Sequence, residues 1–293
     1  MNNHPECIPC CLRRLLHMAD RKTTDDWLHR KILSDVMQDL SRVDEVATPA
    51  ELMHAVARKA AKALGVADPF AEEKKNWVAE TIANAEWIRS VVDEKSDPFL
   101  AALHLSIAAN ILDCELRHDF APSFSLKSLV RDFEGVHFGA EHAEDFRLAV
   151  QSARKILFVH DTAAELFFDR LLIEKIDRPA ATIFSAVRET PILGDATADD
   201  ALAVGLNEVG QIIDVGIDCL GLPLNACSQA FREHYAAADL VIAKGQATFE
   251  SLEGDNLRNE GVEKEIFFLM RVKCPVMARQ LAATVGDAVL EVG

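Results

Sequence analysis

The sequence predicts an α/β protein, with a Rossmann-like, mostly parallel sheet flanked by helices and an all-helical N-terminal domain. Two observations carry this. After Arg154, short apolar runs alternate with helical patterns: "KILFVH", "ATIFSAVR", "QIIDVG", "DLVIAKG" and "EIFFLMRVKC" each have the length of a buried strand. Segments such as "AELFFDRLLIEKI", "ADDALAVGL" and "NACSQAFREHYAAA" lie between them, and that alternation marks βαβ units. Before Arg154, apolar residues recur at three and four spacing in "AELMHAVARKAAKAL" and "AEEKKNWVAETIANAEWIRSVV", and no clear strand is seen. The expected division is therefore a helical domain over 1–153 and an α/β domain over 154–293.

The helices have legible boundaries. Thr48, Pro49 and Glu51 form a helix start, and Asp68-Pro69 and Asp97-Pro98 punctuate the helical stretch beyond it. "PFLAALHLSIAANILDC" is interrupted by His104, Ser106 and Asn110, so it reads as a buried helix and not a membrane span. A formal charge of −16 argues against a nucleic-acid or anionic-membrane surface. The seven cysteines are an odd number, and the N-terminus "MNNHPECIPCCLRR" has no apolar segment behind a basic start. Both fit a protein of the reducing cytoplasm.

Three strand-like runs end in groups suited to phosphate or metal chemistry. The first gives "HDTAAE", with Asp161, Thr162 and Glu165; the second leads to Asp195 and Thr197; the fourth gives Lys244, Gly245, Gln246, Thr248 and Glu250. Parallel strands bring such ends to one edge, where open α/β sheets bind ligands. Two carboxylates and a hydroxyl suit Mg²⁺ or Mn²⁺. A lysine supplies a point charge for phosphate, and Gly245 permits close backbone approach. Each residue also has a bland reading, Asp161 as a helix cap and the others as turn residues. The functional reading rests on the three coinciding. No G-x-G-x-x-G or Walker A sequence is present, so dinucleotide and P-loop sites are weak alternatives.

These segments resemble the metal-dependent damage-control phosphatase family, long called domain of unknown function 89. The similarity lies in "HDTAAELFFDRLLI", "PILGDATADDA", "GIDCLGLPL", "LVIAKGQATFESL" and "FFLMRVKCPVMA", in that order. "ECIPCCLRR" is similar to the opening of its prokaryotic branch with an N-terminal Cys-x-x-Cys, and "AANILDCE" to its Gly-Asn-x-x-Asp segment. The resemblance implies a helical domain on a Rossmann-like one. It also implies a divalent ion (Mn, Mg, Co or Ni) and hydrolysis of phosphate monoesters of small, damaged or surplus metabolites. Carried over by position, Asp161, Thr162 and Asp195 would hold the metal and Lys244 the phosphate. Asn110, Asp113, Glu165, Thr197, Gly245 and Thr248 would complete the substrate-binding set. A metal-activated water would attack phosphorus in line. A covalent aspartyl-phosphate route is disfavoured, because Ala163 stands where a second carboxylate is wanted.

Three positions depart from the family pattern: Thr162, Gly194 and Thr248 stand where it has asparagine. The departures imply weaker metal binding, a shifted substrate or lost activity. They leave open a non-catalytic protein that binds phosphometabolites. The cysteines leave open another alternative. "CIPCC" is either a helix start carrying small buried thiols or a metal or redox pair, and no second pair follows at zinc-finger spacing. Cys114, Cys219, Cys227 and Cys274 read as core thiols. His160 would face away from Asp161, because side chains alternate along a strand, and reads as structural. Oligomeric state is not legible.

Overall fold

The N-terminal helices start where their sequence can satisfy the free N–H groups. In the computed structural model, which describes residues 1–43, 47–112, 125–176, 180–253 and 265–293, α1 is Cys7–Asp20 and α2 is Asp26–Leu40. Asp25 caps α2 by accepting from the N–H groups of Trp27 and Leu28. Helix α3 (Pro49–Leu64) opens with a reciprocal Thr48–Glu51 box and stops at Gly65, whose φ of 69° is left-handed. Helices α4 (Ala71–Ala83), α5 (Ala85–Asp93) and α6 (Pro98–Ala109) follow. Helix α6 is capped by Asp97 and buried almost all round, as an apolar helix without a polar face must be. Helices α7 (Leu126–Asp132) and α8 (Ala143–Ser152) lead into the sheet.

Seven strands form that sheet: β1 (Phe138–Glu141), β2 (Lys155–Val159), β3 (Thr182–Val187), β4 (Gln211–Asp214), β5 (Leu240–Lys244), β6 (Ile266–Arg271) and β7 (Ala288–Val292). Their order is β1-β7-β6-β5-β2-β3-β4. All neighbours are parallel except β6 and β7. The five apolar runs of the sequence are β2 to β6. The N-terminal half also supplies a strand that its sequence did not announce. β1 is four residues long, half exposed, and pairs with β7 at the sheet edge.

Strands β5 and β6 are buried throughout, because both faces of the sheet are covered. Alternation divides each strand between two cores. Ile156, Phe158, Leu240, Ile242, Phe267 and Leu269 face the N-terminal helices and α9 (Leu166–Glu174). Leu157, Val159, Val241, Ala243, Phe268 and Met270 face the other way. There they meet Phe231 and Tyr235 of α11 (Gln229–Ala237), Phe249 of α12 (Gln246–Leu252) and Met277 of α13 (Pro275–Gln280). The remaining helix, α10 (Ala198–Ala203), follows β3. Among the described residues no helix is long and apolar enough to cross a membrane.

The chain runs outward from β2 through β3 to β4, then returns to β5 on the opposite flank of β2. The carboxyl ends of β2 and β5 therefore flank a topological switch point, where a crevice opens between diverging connections.

Candidate active site at the carboxyl edge of the sheet

A cleft of about 390 Å³ lies at this edge. Asp161 and Thr162 reach it from the end of β2, Leu193 and Asp195 from the loop after β3, Gln246 and Glu250 from α12, and Lys273 and Cys274 from the end of β6. Helix α1 forms a further wall with Cys7, Cys10, Cys11 and Arg14. Asp161 and Asp195 are thus brought to one cavity from 34 residues apart.

Backbone bonds hold the two aspartates in place. Thr162 and Asp195 form an antiparallel bridge. The Ala163 N–H donates to Gly194 O at 2.9 Å, and the Ala196 N–H to Asp161 O at 2.8 Å. Arg188, buried, donates from Nε to Asp195 Oδ2 at 2.7 Å and from Nη1 to Gly221 O at 2.6 Å. Leu193 sits in this loop at a φ of 48°, a left-handed conformation costly for a branched side chain. Gly245 has a φ of 84°, and a Cβ there would meet Asp161 Oδ2 at 2.0 Å. Glycine is required because the Asp161 carboxylate occupies the space of its side chain.

Beneath the cleft lies a buried polar network. Asn110, at the end of α6, donates from Nδ2 to Asp161 Oδ2 at 2.9 Å and to Glu165 Oε1 at 3.0 Å. Its Oδ1 accepts from the Arg271 N–H at 3.0 Å. Thr162 donates from Oγ1 to Glu165 Oε1 at 2.9 Å. Lys244 Nζ lies 2.7 Å from Glu165 Oε2 and 2.8 Å from Asp169 Oδ1, and donates to Ser106 O at 2.7 Å. His160 is stacked on Phe158, and its Nδ1 bonds Asp169 Oδ2 at 2.9 Å.

This arrangement departs from the expectation that Lys244 holds a phosphate. Its side chain is wholly buried and its ammonium is occupied by Glu165, Asp169 and Ser106. On the sheet side of the cleft wall the cation is Lys273, with Nζ 3.8 Å from Asp161 Oδ2, while Arg13 and Arg14 line it from α1. Thr197 caps α10 through a reciprocal pairing with Asp200 and is not on the cleft wall. Thr248 is buried, and among the described residues its hydroxyl has no partner. Asp113 and Cys114 lie outside the described residues. Sequence reasoning missed Lys273, Asp169 and the α1 wall. Lys273 was findable, because it stands just past the end of β6 on the same sheet edge. Asp169 was signalled by a charge on the apolar face of "ELFFDRLLI".

Charges in the network are strongly perturbed. Burial pushes the Asp161 carboxyl up to about 7; Lys273 opposes this, while Glu165 and Asp195 add to it. Burial likewise pushes Glu250 up to about 7, against a hydrogen bond from Gln246. For Asp169 burial is the largest influence and acts upward, yet Lys244 and His160 together hold it below the usual range. Lys244 is held above its ordinary value, because Asp169 and Glu165 outweigh its burial.

A helical layer on a mostly parallel sheet, with acidic and basic side chains on a cleft at the switch point, defines an α/β protein with a polar cleft at the carboxyl edge of its sheet. Similarity to known proteins names the class. Residues 3–289 match the damage-control phosphatase ARMT1-like domain, and the chain belongs to that family. It is 31% identical over 293 residues to a damage-control phosphatase of Pyrococcus horikoshii, covering 97% of this chain and 96% of that protein. It is 28% identical over 296 residues to a damage-control phosphatase of Archaeoglobus fulgidus, covering 100% and 99%. An uncharacterized protein of Methanocaldococcus jannaschii is 28% identical over 291 residues, covering 98% and 94%. The crystal structure of a Pyrococcus horikoshii protein of the domain of unknown function 89 family superposes with a TM-score of 0.83 at 30% identity, covering 100% of this chain and 99% of that one.

Proposed function

We propose that this chain is a phosphatase that releases phosphate from monoesters of small damaged or surplus metabolites, working with a divalent metal ion. The observation that carries the reading is the meeting of Asp161, Asp195 and Lys273 on one cleft at the switch point of the sheet. The names of the two archaeal relatives support it.

The family implies a divalent metal, and the residues present fit one. Asp161, Glu165, Asp169 and Asp195 are buried against Lys244, Arg188 and the cleft-wall Lys273, so the cluster keeps a negative excess. Among the described residues Asp161 Oδ1 has no hydrogen-bond partner, while Oδ2 takes Asn110. Thr162 gives its hydroxyl proton to Glu165 and faces the backbone of Glu165 in a capping box, which leaves one lone pair for another partner. Asp161, Asp195 and the Thr162 hydroxyl would hold the ion with hard oxygen donors. Among the described residues no group of three His, Cys, Asp or Glu side chains could hold the ion, so these two carboxylates and the hydroxyl are the donors the chain would offer. When bound, such an ion polarises phosphoryl oxygens and makes a water acidic.

The chain's own residues do the rest. Lys273 neutralises charge on the phosphoryl oxygens, where a cation contributes most as negative charge develops. Asn110 and Gly245 fix the rotamer of Asp161, and Arg188 fixes that of Asp195. Glu165 orients the Thr162 hydroxyl, and Lys244 pairs with Glu165 and Asp169 beneath the site.

The test is phosphate release from a panel of small phosphate monoesters by metal-stripped protein, with Mg²⁺, Mn²⁺, Co²⁺ or Ni²⁺ added back. Activity that needs metal and is lost in Asp161→Ala and Asp195→Ala is expected. A folded protein that is stabilised by phosphometabolites but turns none over would favour the non-catalytic reading, and Thr248, with its unpartnered hydroxyl in place of the family's amide, is the observation on that side.

A further inference from the structure

The phosphatase reading leaves the thiols of the cleft unused. Four of the six free cysteines described, Cys7, Cys10, Cys11 and Cys274, line one cavity. We propose that Cys7 and Cys10 are a redox modification site, forming a reversible disulfide that reshapes the α1 wall of the cleft.

The geometry is near what a disulfide needs. Residues three apart on an α-helix have Cα atoms about 5 Å apart, inside the roughly 4.4–6.8 Å that the bond spans. Their Cβ atoms lie about 5–6 Å apart in an ideal helix, against about 3.8 Å in a disulfide. The first turn of α1 must therefore tighten by an ångström or two (roughly, from those two ranges).

That turn is weakly held. Its N-cap, Glu6, makes no side-chain cap bond. Pro9 has no N–H to give. The Ile8 N–H reaches Pro5 O at 3.3 Å and the Cys10 N–H reaches Glu6 O at 3.4 Å, both long for such bonds. Cys7 Sγ accepts from the His4 N–H at 3.4 Å, a bond from a residue before the helix and not from a helix N–H. Cys7 and Cys10 are half-buried, so a small reagent reaches them.

The other thiols are poorer partners. Cys11 is 4% exposed and burial pushes its thiol up to about 12; burial also raises Cys7, which is half-buried and so more accessible than Cys11. Cys274 Sγ is engaged as the cap of α13, accepting from the Met277 N–H at 3.4 Å, and faces Gln246 Nε2 at 3.6 Å. Closure would be felt across the cleft. Glu6 pairs with Arg279 of α13 at 2.7 Å, so the start of α1 touches the helix that follows Lys273 and Cys274.

The chemistry is thiol–disulfide exchange with a low-molecular-weight disulfide. The Cys10 thiolate attacks one sulfur of the reagent and displaces a small thiolate. The Cys7 thiolate then attacks the Cys10 sulfur of that mixed disulfide and displaces the second small thiolate. The two protons lost by the cysteines pass to the two thiolates released.

The test incubates the reduced full-length protein with glutathione disulfide and maps it by mass spectrometry without reduction, after alkylating free thiols. The expected peptide Met1–Arg13 is two hydrogens lighter and alkylated only at Cys11. It reverts with dithiothreitol. Cys7→Ser should instead retain a glutathione adduct on Cys10, Cys10→Ser should form no disulfide within this peptide, and Cys274→Ser should behave as wild type. A bond from either thiol to Cys274 or Cys11, or no disulfide, overturns the site. The alkylation rate of Cys274, on the facing wall, reports the cleft and needs no enzymatic activity. It should change several-fold on oxidation; an unchanged rate overturns the reshaping.

Discussion

Replacing Lys244 by methionine tests the network under the cleft. Methionine keeps the length of the side chain and removes its charge. Glu165 and Asp169, both wholly buried, then lose their shared cation, and Ser106 O loses a donor. Removing one partner from a buried ion pair costs about 3–5 kcal/mol, because a charge is left without compensation. For a protein of this size 1 kcal/mol shifts Tm by about 2–4 °C, so the expected loss is roughly 6–20 °C. It should be largest at neutral pH. There Asp169, which Lys244 and His160 hold below its usual range against burial, is stranded as a charge, and the deficit shrinks as falling pH protonates it. Adding Asp169→Asn removes one stranded charge and should restore part of the loss, which a double-mutant cycle measures. The assay is thermal unfolding of the four proteins from pH 5 to 8. A Lys244→Met variant that melts like wild type would refute the reasoning. If that variant also lost only its affinity for inorganic phosphate, Lys244 would belong to the cleft after all.

Other outcomes stem from the same geometry. Asn110→Ala removes the amide that orients Asp161, and should weaken metal binding about 10–100-fold, measured by calorimetric titration. Gly245→Ala puts a Cβ 2.0 Å from Asp161 Oδ2 at a φ of 84°. It should cost more than about 1 kcal/mol in urea unfolding, beyond the usual entropic gain of such a change. Glu174 is the site of a pH effect. Burial acts to raise its carboxyl, but hydrogen bonds from Arg89 and Arg170 outweigh it and hold the value below the ordinary one. Its contribution is thus present above the unfolded-state value and lost as pH falls through the folded one. Glu174→Gln should lower Tm at pH 7 and leave it unchanged at the acid end of the profile.

The fold was legible where one physical rule dominates. β2, β3, β5 and β6 are short apolar runs because they are covered on two faces, and such runs are visible without partners. β1 was not, because "FGAE" gains its place from pairing with β7 and not from its own composition. The carboxylates of the cleft were legible as strand ends. The misplacement of Lys244 has a simple cause. Strand position fixes the edge that a residue reaches, but not whether its side chain turns into the cleft or down into the α6–α9 layer. Asp169 and Ser106, 63 residues apart, draw the ammonium downward, and no local pattern announces that meeting. The α1 wall was hidden for a related reason, since a helix carries no sign of the sheet edge it will cover.

The pairing of β1 with β7 also orders events during synthesis. Phe138 lies opposite Ala288, and β1 has no other strand beside it. Every residue from 142 to 287 must leave the ribosome before that edge can close. The nascent helical layer must therefore wait with β1 unpaired, and contacts of such long sequence separation form late. A truncation that removes β7 would leave β1 as an unpaired edge and β6 as a newly exposed one, open to the strands of other molecules.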